Sequence, residues 1–203
     1  MTRGRRLYDR IAPLYDALDA LGETIRQRHV RPQLLAGLGG RILDAGVGTG
    51  RNFPFYPEGG DAVGVDFSTA MLRRAQRRQH RLGTRVHLLA ANICQLPFAD
   101  DGFDAAIATF LFCVLDDADQ LPALRELARV CRPGGQIRIL DYVRPDSAHR
   151  RWSTRLSAPI IQFLYNASLE RNTEQYVAVA GLRVVERRLI AGDDCRMLVM
   201  RHA

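Results

Sequence analysis

The stretch Arg41-Ile42-Leu43-Asp44-Ala45-Gly46-Val47-Gly48-Thr49-Gly50 constrains this chain more than any other. Apolar residues run into an acid and then into glycines at alternate positions. That pattern predicts a buried strand ending in a tight loop. Gly46 and Gly48 can adopt positive φ and have no Cβ to hold a ligand away. A helix starting near Thr49 would aim free N–H groups at an anion. On its own the loop is a weak signal. A dinucleotide-binding protein has a similar one, and a tight turn without a ligand also satisfies it.

The rest of the chain extends the strand-and-helix alternation. Asp61 to Asp66 and Arg85 to Leu89 are predicted as further strands, and Ala105 to Phe110 as a fourth. Ser68 is placed to cap a helix carrying Met71, Leu72 and Ala75, with a basic face running to Arg81. Leu121 to Val130 is predicted as a helix that Arg132-Pro133-Gly134-Gly135 stops, and Gln136 to Leu140 as a fifth strand. Such alternation implies a parallel sheet covered on both faces. Ligands bind such sheets beyond the carboxyl ends of the strands. Those ends carry Asp44, Asp66, Asn92 and Asp141. The tail departs from the alternation: a helical region from about His149 to Glu170 precedes two antiparallel strands, Leu182 to Ile190 and Arg196 to Met200.

Length and charge bound the alternatives. At 203 residues the chain has room for one domain with a full core. The longest nearly apolar run, Ala105 to Leu115, is too short to span a bilayer, which needs roughly 20 residues. It is predicted as a buried strand, so membrane contact would be peripheral. No secretory signal is recognisable at the N-terminus. Cys94, Cys113, Cys131 and Cys195 form no C-x-x-C pair and no zinc spacing, which predicts reduced, mostly buried thiols in a cytoplasmic protein and no metal. The net charge of +7 comes wholly from arginine among the basic residues and favours anionic partners. No recognisable nucleic-acid motif accompanies it, so nucleic acid is not expected.

The residues around the glycine loop discriminate further. Leu43 to Gly50 resembles the L-D-x-G-x-G-T-G motif of class I S-adenosylmethionine (SAM)-dependent methyltransferases. An acid before the glycines is unhelpful beside a pyrophosphate but suits the cationic aminopropyl end of SAM. Val65 to Leu72 is similar to the family's D-x-S-x-x-M-L segment. Ala91 to Phe98 is similar to G-D-A-x-x-L-P-F, with Asn92 in place of the usual Asp. Phe98 to Asp104 matches F-x-D-x-x-F-D, where Asp104 orders the turn, and Arg132 to Gly135 matches R-P-G-G. The resemblance implies a Rossmann-like α/β fold with a mostly parallel seven-stranded sheet, helices on both faces and an N-terminal helical extension. It also implies a cofactor site. Asp44, Gly46 and Gly48 would hold the methionine end of SAM, and Asp66 the ribose hydroxyls. Phe67, Met71, Asn92 and Ile93 would surround the adenine.

Residues 1–35 carry a second pattern. Leu7, Ile11, Leu14, Leu18, Leu21 and Ile25 form one helical stripe, Pro13 interrupts it, and arginines crowd its start. This is either a lid packed on the domain or a segment lying on an anionic membrane. Tyr8 to Asp16 resembles the Y-D-x-x-A-x-x-Y-D element of quinone C-methyltransferases and bacterial phosphatidylethanolamine N-methyltransferases, the latter being the closer likeness. By that resemblance Tyr8 touches SAM and Tyr15 faces the acceptor. Asp141 and Tyr142, at the end of the fifth strand, are candidates to position an amine and lead its proton away, although Asp141 could equally cap the strand. Arg144, His149 and Arg151 follow as candidates for a lipid phosphate. The expected activity is phospholipid N-methylation from phosphatidylethanolamine toward phosphatidylcholine, at the periphery of an anionic membrane. The alternatives are a quinone or other small-molecule methyltransferase and a non-catalytic SAM- or lipid-binding regulator.

Overall fold

A computed structural model describes residues 30–143, 171–190 and 195–203. Its centre is a seven-stranded sheet in the order β3-β2-β1-β4-β5-β7-β6. The strands are β1 (Arg41–Ala45), β2 (Asp61–Asp66), β3 (His87–Ala90), β4 (Phe103–Thr109), β5 (Cys131–Tyr142), β6 (Leu182–Leu189) and β7 (Cys195–His202). Strands β1 to β5 are parallel. Strand β7 runs antiparallel to both β5 and β6. The chain order reverses between β1 and β4, so a crevice opens beyond the carboxyl ends of these strands, next to the glycine loop.

Alternation along the strands sends side chains to two cores. Leu43, Ala45, Ala106, Ala108, Ile137 and Ile139 face one side, against α3 (Asp117–Val130). Ile42, Ile107, Leu140, Met197 and Val199 face the other, against α1 (Val30–Leu35). Helix α2 (Thr69–Leu82) buries Met71 and Ala75. The Ser68 hydroxyl caps it, accepting from the Met71 amide at 3.2 Å, and Gly83 ends it at φ 67°. Helices therefore cover both faces. Residues 30–35 of the predicted N-terminal extension form α1, whose Val30, Leu34 and Leu35 are buried. Residues 1–29 of that extension and the helical region predicted from His149 to Glu170 lie outside the described residues.

Four local expectations are corrected. No α-helix starts near Thr49. The chain makes turns and a short 3₁₀ segment, Phe53–Phe55, before β2. Pro54 lacks the N–H that a helix begun near Thr49 would need to bond the Gly50 carbonyl, and Pro57 closes the segment soon after. The apolar run from Ala105 is strand only to Thr109. Phe110 then adopts φ 53° and the chain turns through Leu111 to Leu115. Helix α3 starts at Asp117, a turn earlier than its apolar spacing suggested. Arg132-Pro133-Gly134-Gly135 lies within β5 as a bulge, because Cys131 pairs with Phe103 and Gln136 with Ala105. Gly135 is required there, since a Cβ would stand 2.7 Å from the Asp104 carbonyl oxygen.

Candidate active site

The carboxyl end of β1 delivers Asp44 into a fully buried position. Its Oδ2 accepts from the Asn52 amide at 2.8 Å and from the Tyr56 hydroxyl at 2.5 Å. Asn52 also donates to Thr109 Oγ1 at 3.0 Å, and its own oxygen accepts from the Arg31 guanidinium at 2.7 Å. Burial pushes Asp44 up to about 6, and the Tyr56 and Asn52 hydrogen bonds and the Arg31 charge oppose the rise. Tyr56 is held well above the phenol range by burial and by the adjacent carboxylate, so it remains a donor. Asp44 Oδ1 is buried and has no hydrogen-bond partner among the described residues.

The glycines of the loop divide the work. The amides of Gly46 and Val47 both donate to the Val65 carbonyl at 2.9 Å, which draws the loop across the end of β2. Gly46, at φ 72°, lets Leu111 approach, because a Cβ there would lie 2.9 Å from its side chain. Gly48, at φ 56°, faces open space: the nearest atom to a Cβ would be 4.0 Å away. Its amide donates to Asp66 Oδ2 at 2.9 Å, while Asp66 Oδ1 accepts from the Ser68 amide at 2.8 Å. Asp66 thus ties the glycine loop to the start of α2. Thr49 is buried, and its hydroxyl has no hydrogen-bond partner among the described residues.

These features fit SAM. An orphaned carboxylate oxygen suits an ammonium group, and the space over Gly48 admits a ligand that a Cβ would displace. A carboxylate at the end of β2 is an acceptor of the kind that ribose hydroxyls need. Around the predicted adenine pocket, Asn92 Oδ1 accepts from the Cys94 amide at 2.9 Å, which fixes the loop after β3. Phe67 is half-buried, whereas Met71 and Ile93 are almost wholly enclosed.

The predicted acceptor residues are placed differently. Asp141 and Tyr142 are neighbours on β5 and project to opposite faces. Tyr142 stacks on Phe110 with ring centroids 4.5 Å apart, and the Arg31 guanidinium lies 5.7 Å from the Phe110 centroid. Tyr142 therefore belongs to the side that carries the Asp44 network. The positive φ of Phe110, a strained conformation for an aromatic residue, falls at this junction. Asp141 faces a recess whose lining includes Cys113, Ile139, Arg171, Thr173 and Arg196, and to which Tyr142 also contributes. The Asp141 oxygens lack a hydrogen bond of ordinary geometry among the described residues. Burial raises it to about 7, opposed by the nearby Cys113 thiol, the Cys113 and Phe112 backbone and the Arg196 charge. The Cys113 thiol is held well above its usual value by burial and by Asp141. Tyr8, Tyr15, Arg144, His149 and Arg151 lie outside the described residues.

Sequence reasoning missed Arg31, Asn52, Tyr56 and Phe110. Asn52 and Tyr56 follow the glycine loop at a four-residue spacing, which was available as a signal. The strain at Phe110 and the approach of Arg31 arise from tertiary contact and have no local signature.

Comparison with known proteins agrees with this geometry. A family profile described as a methyltransferase domain matches residues 42–135. The chain is 35% identical over 147 residues to a phosphatidylethanolamine N-methyltransferase of Cereibacter sphaeroides, covering 70% of this chain and 68% of that protein. It is 39% identical over 150 residues to the ubiquinone/menaquinone biosynthesis C-methyltransferase UbiE of Syntrophotalea carbinolica, covering 70% of this chain and 62% of that protein. The chain thus spans only about two thirds of the length of these relatives. The crystal structure of a SAM-dependent methyltransferase from Aquifex aeolicus superposes with a TM-score of 0.63 at 22% identity, covering 87% of this chain and 89% of that one. The chain belongs to the class I SAM-dependent methyltransferases.

Proposed function

We propose that this methyltransferase N-methylates phosphatidylethanolamine and its methylated products, toward phosphatidylcholine, at an anionic membrane surface. One observation carries the proposal. The recess at the end of β5 sets the buried carboxylate of Asp141 beside Arg171 and Arg196. The recess itself has room for about one water, and a zwitterionic headgroup seated at its mouth would bring the complementary charges, an ammonium for the carboxylate and a phosphate for the guanidinium groups. Both arginines already have partners: Arg171 donates to the Cys113 carbonyl at 2.9 Å and lies 3.6 Å from Asp116 and 3.8 Å from Asp117, and Arg196 lies 3.4 Å from Glu174. Those contacts hold the guanidinium groups in place while leaving donors for a phosphate.

Bound SAM supplies a methyl group activated on a sulfonium. The protein's contribution is alignment and exclusion of water. Asp44 Oδ1 would receive the donor's ammonium, and Asp66 would receive its ribose. An acceptor amine must shed a proton before its lone pair can form the new C–N bond, which forms as the methyl group's bond to the sulfonium sulfur breaks and that electron pair stays on sulfur. Asp141, pushed up to about 7 by burial, is suited to take that proton near neutral pH. Tyr8 and Tyr15 remain proposed donor and acceptor contacts, and Arg144, His149 and Arg151 proposed phosphate contacts.

A quinone C-methyltransferase is the second reading. The stacked Phe110–Tyr142 pair favours it, because such a surface suits a flat ring. Radiolabelled SAM with vesicles of phosphatidylethanolamine and anionic lipid, products resolved by mass, decides between the two. Mono-, di- or trimethylated lipid is expected. SAM binding with no methylated lipid, but with turnover of a demethylmenaquinone, would replace the first reading with the second.

A further inference from the structure

The Asp44 side chain does not stand alone at the end of β1. It is the last member of a chain of hydrogen bonds that starts on α1. Arg31 donates to Asn52 Oδ1 at 2.7 Å, which leaves the Asn52 amide nitrogen to donate. That nitrogen serves Asp44 Oδ2 at 2.8 Å and Thr109 Oγ1 at 3.0 Å, so it is anchored on β4 as well. Tyr56 donates to the same Oδ2 at 2.5 Å. Both donors converge on one oxygen, and the other oxygen, Oδ1, is buried with no partner among the described residues. A carboxylate with both oxygens satisfied would have little reason to bind a cation. One with a single oxygen clamped is both oriented and left wanting a donor.

We infer that Tyr56 and Asn52, with Arg31 behind them, are positioning residues that clamp one oxygen of Asp44 and so present the other, ionised, to the ammonium group of the methyl donor. Two physical consequences follow. First, the clamp fixes the plane of the Asp44 carboxylate, so that whichever oxygen is not engaged by Asn52 and Tyr56 keeps one orientation. Second, the clamp keeps the carboxylate charged in a site where burial alone would neutralise it. Arg31 is the charged group facing Asp44 from α1, Tyr56 is the titratable one from the 3₁₀ segment, and Thr109 and Asn52 are neutral. Tyr56 stays protonated throughout the accessible range, because burial and Asp44 both hold it well above the phenol value. Any titration of the clamp near neutrality is therefore that of Asp44 itself. The inference concerns donor binding and is independent of the acceptor.

Calorimetric titration of the full chain with SAM, from pH 5 to pH 8, tests it. The comparison ligand is a sulfonium analogue of SAM that lacks the α-amino group. In the parent protein, SAM affinity should fall as pH drops below about 6, where Asp44 takes up a proton, and the deamino analogue should show no such fall. Tyr56→Phe removes a hydrogen bond that lowers the Asp44 value. The fall should then begin at higher pH, and at neutral pH SAM should bind about tenfold more weakly, with the analogue unaffected. Asn52→Ala should act in the same direction. Equal weakening of SAM and analogue in Tyr56→Phe would mean a merely structural role and would overturn the inference. An unmoved pH midpoint with unchanged affinity would overturn it as well. Loss of lipid methylation with these binding results intact would count against the proposed acceptor only.

Discussion

Asp141 shows how far burial alone can shift a functional group. Its folded value of about 7 lies well above the ordinary 3.8. A raised carboxylate binds more protons folded than unfolded between those values. Stability therefore falls as pH rises from about 4 to about 7, and the cost is complete above that window. A rise from 3.8 to about 7 corresponds to at most about 4 kcal/mol. Asp141→Asn should remove this cost. Urea denaturation at pH 8 should find the variant more stable than the parent, and at pH 4 the two should be alike. A parent whose stability does not fall across that window would show that Asp141 is not the group described. At this scale Asp44, Asp66 and the glycines were legible in the sequence, because acids and glycines at strand ends form a local pattern with a chemical meaning. The direct partners of Asp44, Asn52 and Tyr56, had a local signal in their spacing after the loop, but the outer members of the network had none. Arg31 and Thr109 come from distant parts of the chain, and only the fold brings them to Asn52.

The loop between β1 and β2 separates two uses of glycine. Gly50, at φ 78°, packs so closely that a Cβ would meet the Phe53 ring at 2.3 Å. Gly50→Ala should cost about 3 kcal/mol or more from strain and overpacking, seen as a lower thermal midpoint. Gly48 has the same backbone constraint but open space at its Cβ. Gly48→Ala should cost only about 1–2 kcal/mol and still weaken SAM more than about tenfold in a binding titration, because its methyl enters the ligand's space. Comparable stability losses in the two variants would contradict this division. The strands were predicted within a few residues because hydrophobic alternation and capping are local signals. The helix expected near Thr49 fails because two prolines interrupt so short a connection. The strand expected to continue past Thr109 fails because Phe110 turns the backbone, a conformation that no residue pattern announces.

Across the whole molecule, β5 is the element that joins the two faces. It sends Asp141 toward the recess beside α3 and Tyr142 toward Phe110 on the side of α1. It also carries Arg138, almost wholly buried, whose guanidinium donates at 2.8 Å to the carbonyls of Leu34 and Ala36. Those carbonyls end α1 and have no helical partner of their own, so Arg138 caps a helix about a hundred residues earlier in the chain. Arg138→Met should cost about 1–3 kcal/mol and raise the rate of proteolytic cleavage around α1. Unchanged proteolysis would show that the cap does not hold α1 to the sheet. None of the helices among the described residues is long and apolar enough to cross a membrane. The sequence by itself determined the α/β class, the order of the elements, the methyl donor and the family. Each depends on short segments whose periodicity, turn chemistry and motif residues act within a few positions of one another. Only the tertiary structure decided which oxygen of Asp44 is left for a ligand, which glycine faces open space, and which face of the sheet receives Asp141 and which receives Tyr142. Those outcomes depend on burial and on contacts between residues far apart in the chain, and these exist only once the sheet has formed.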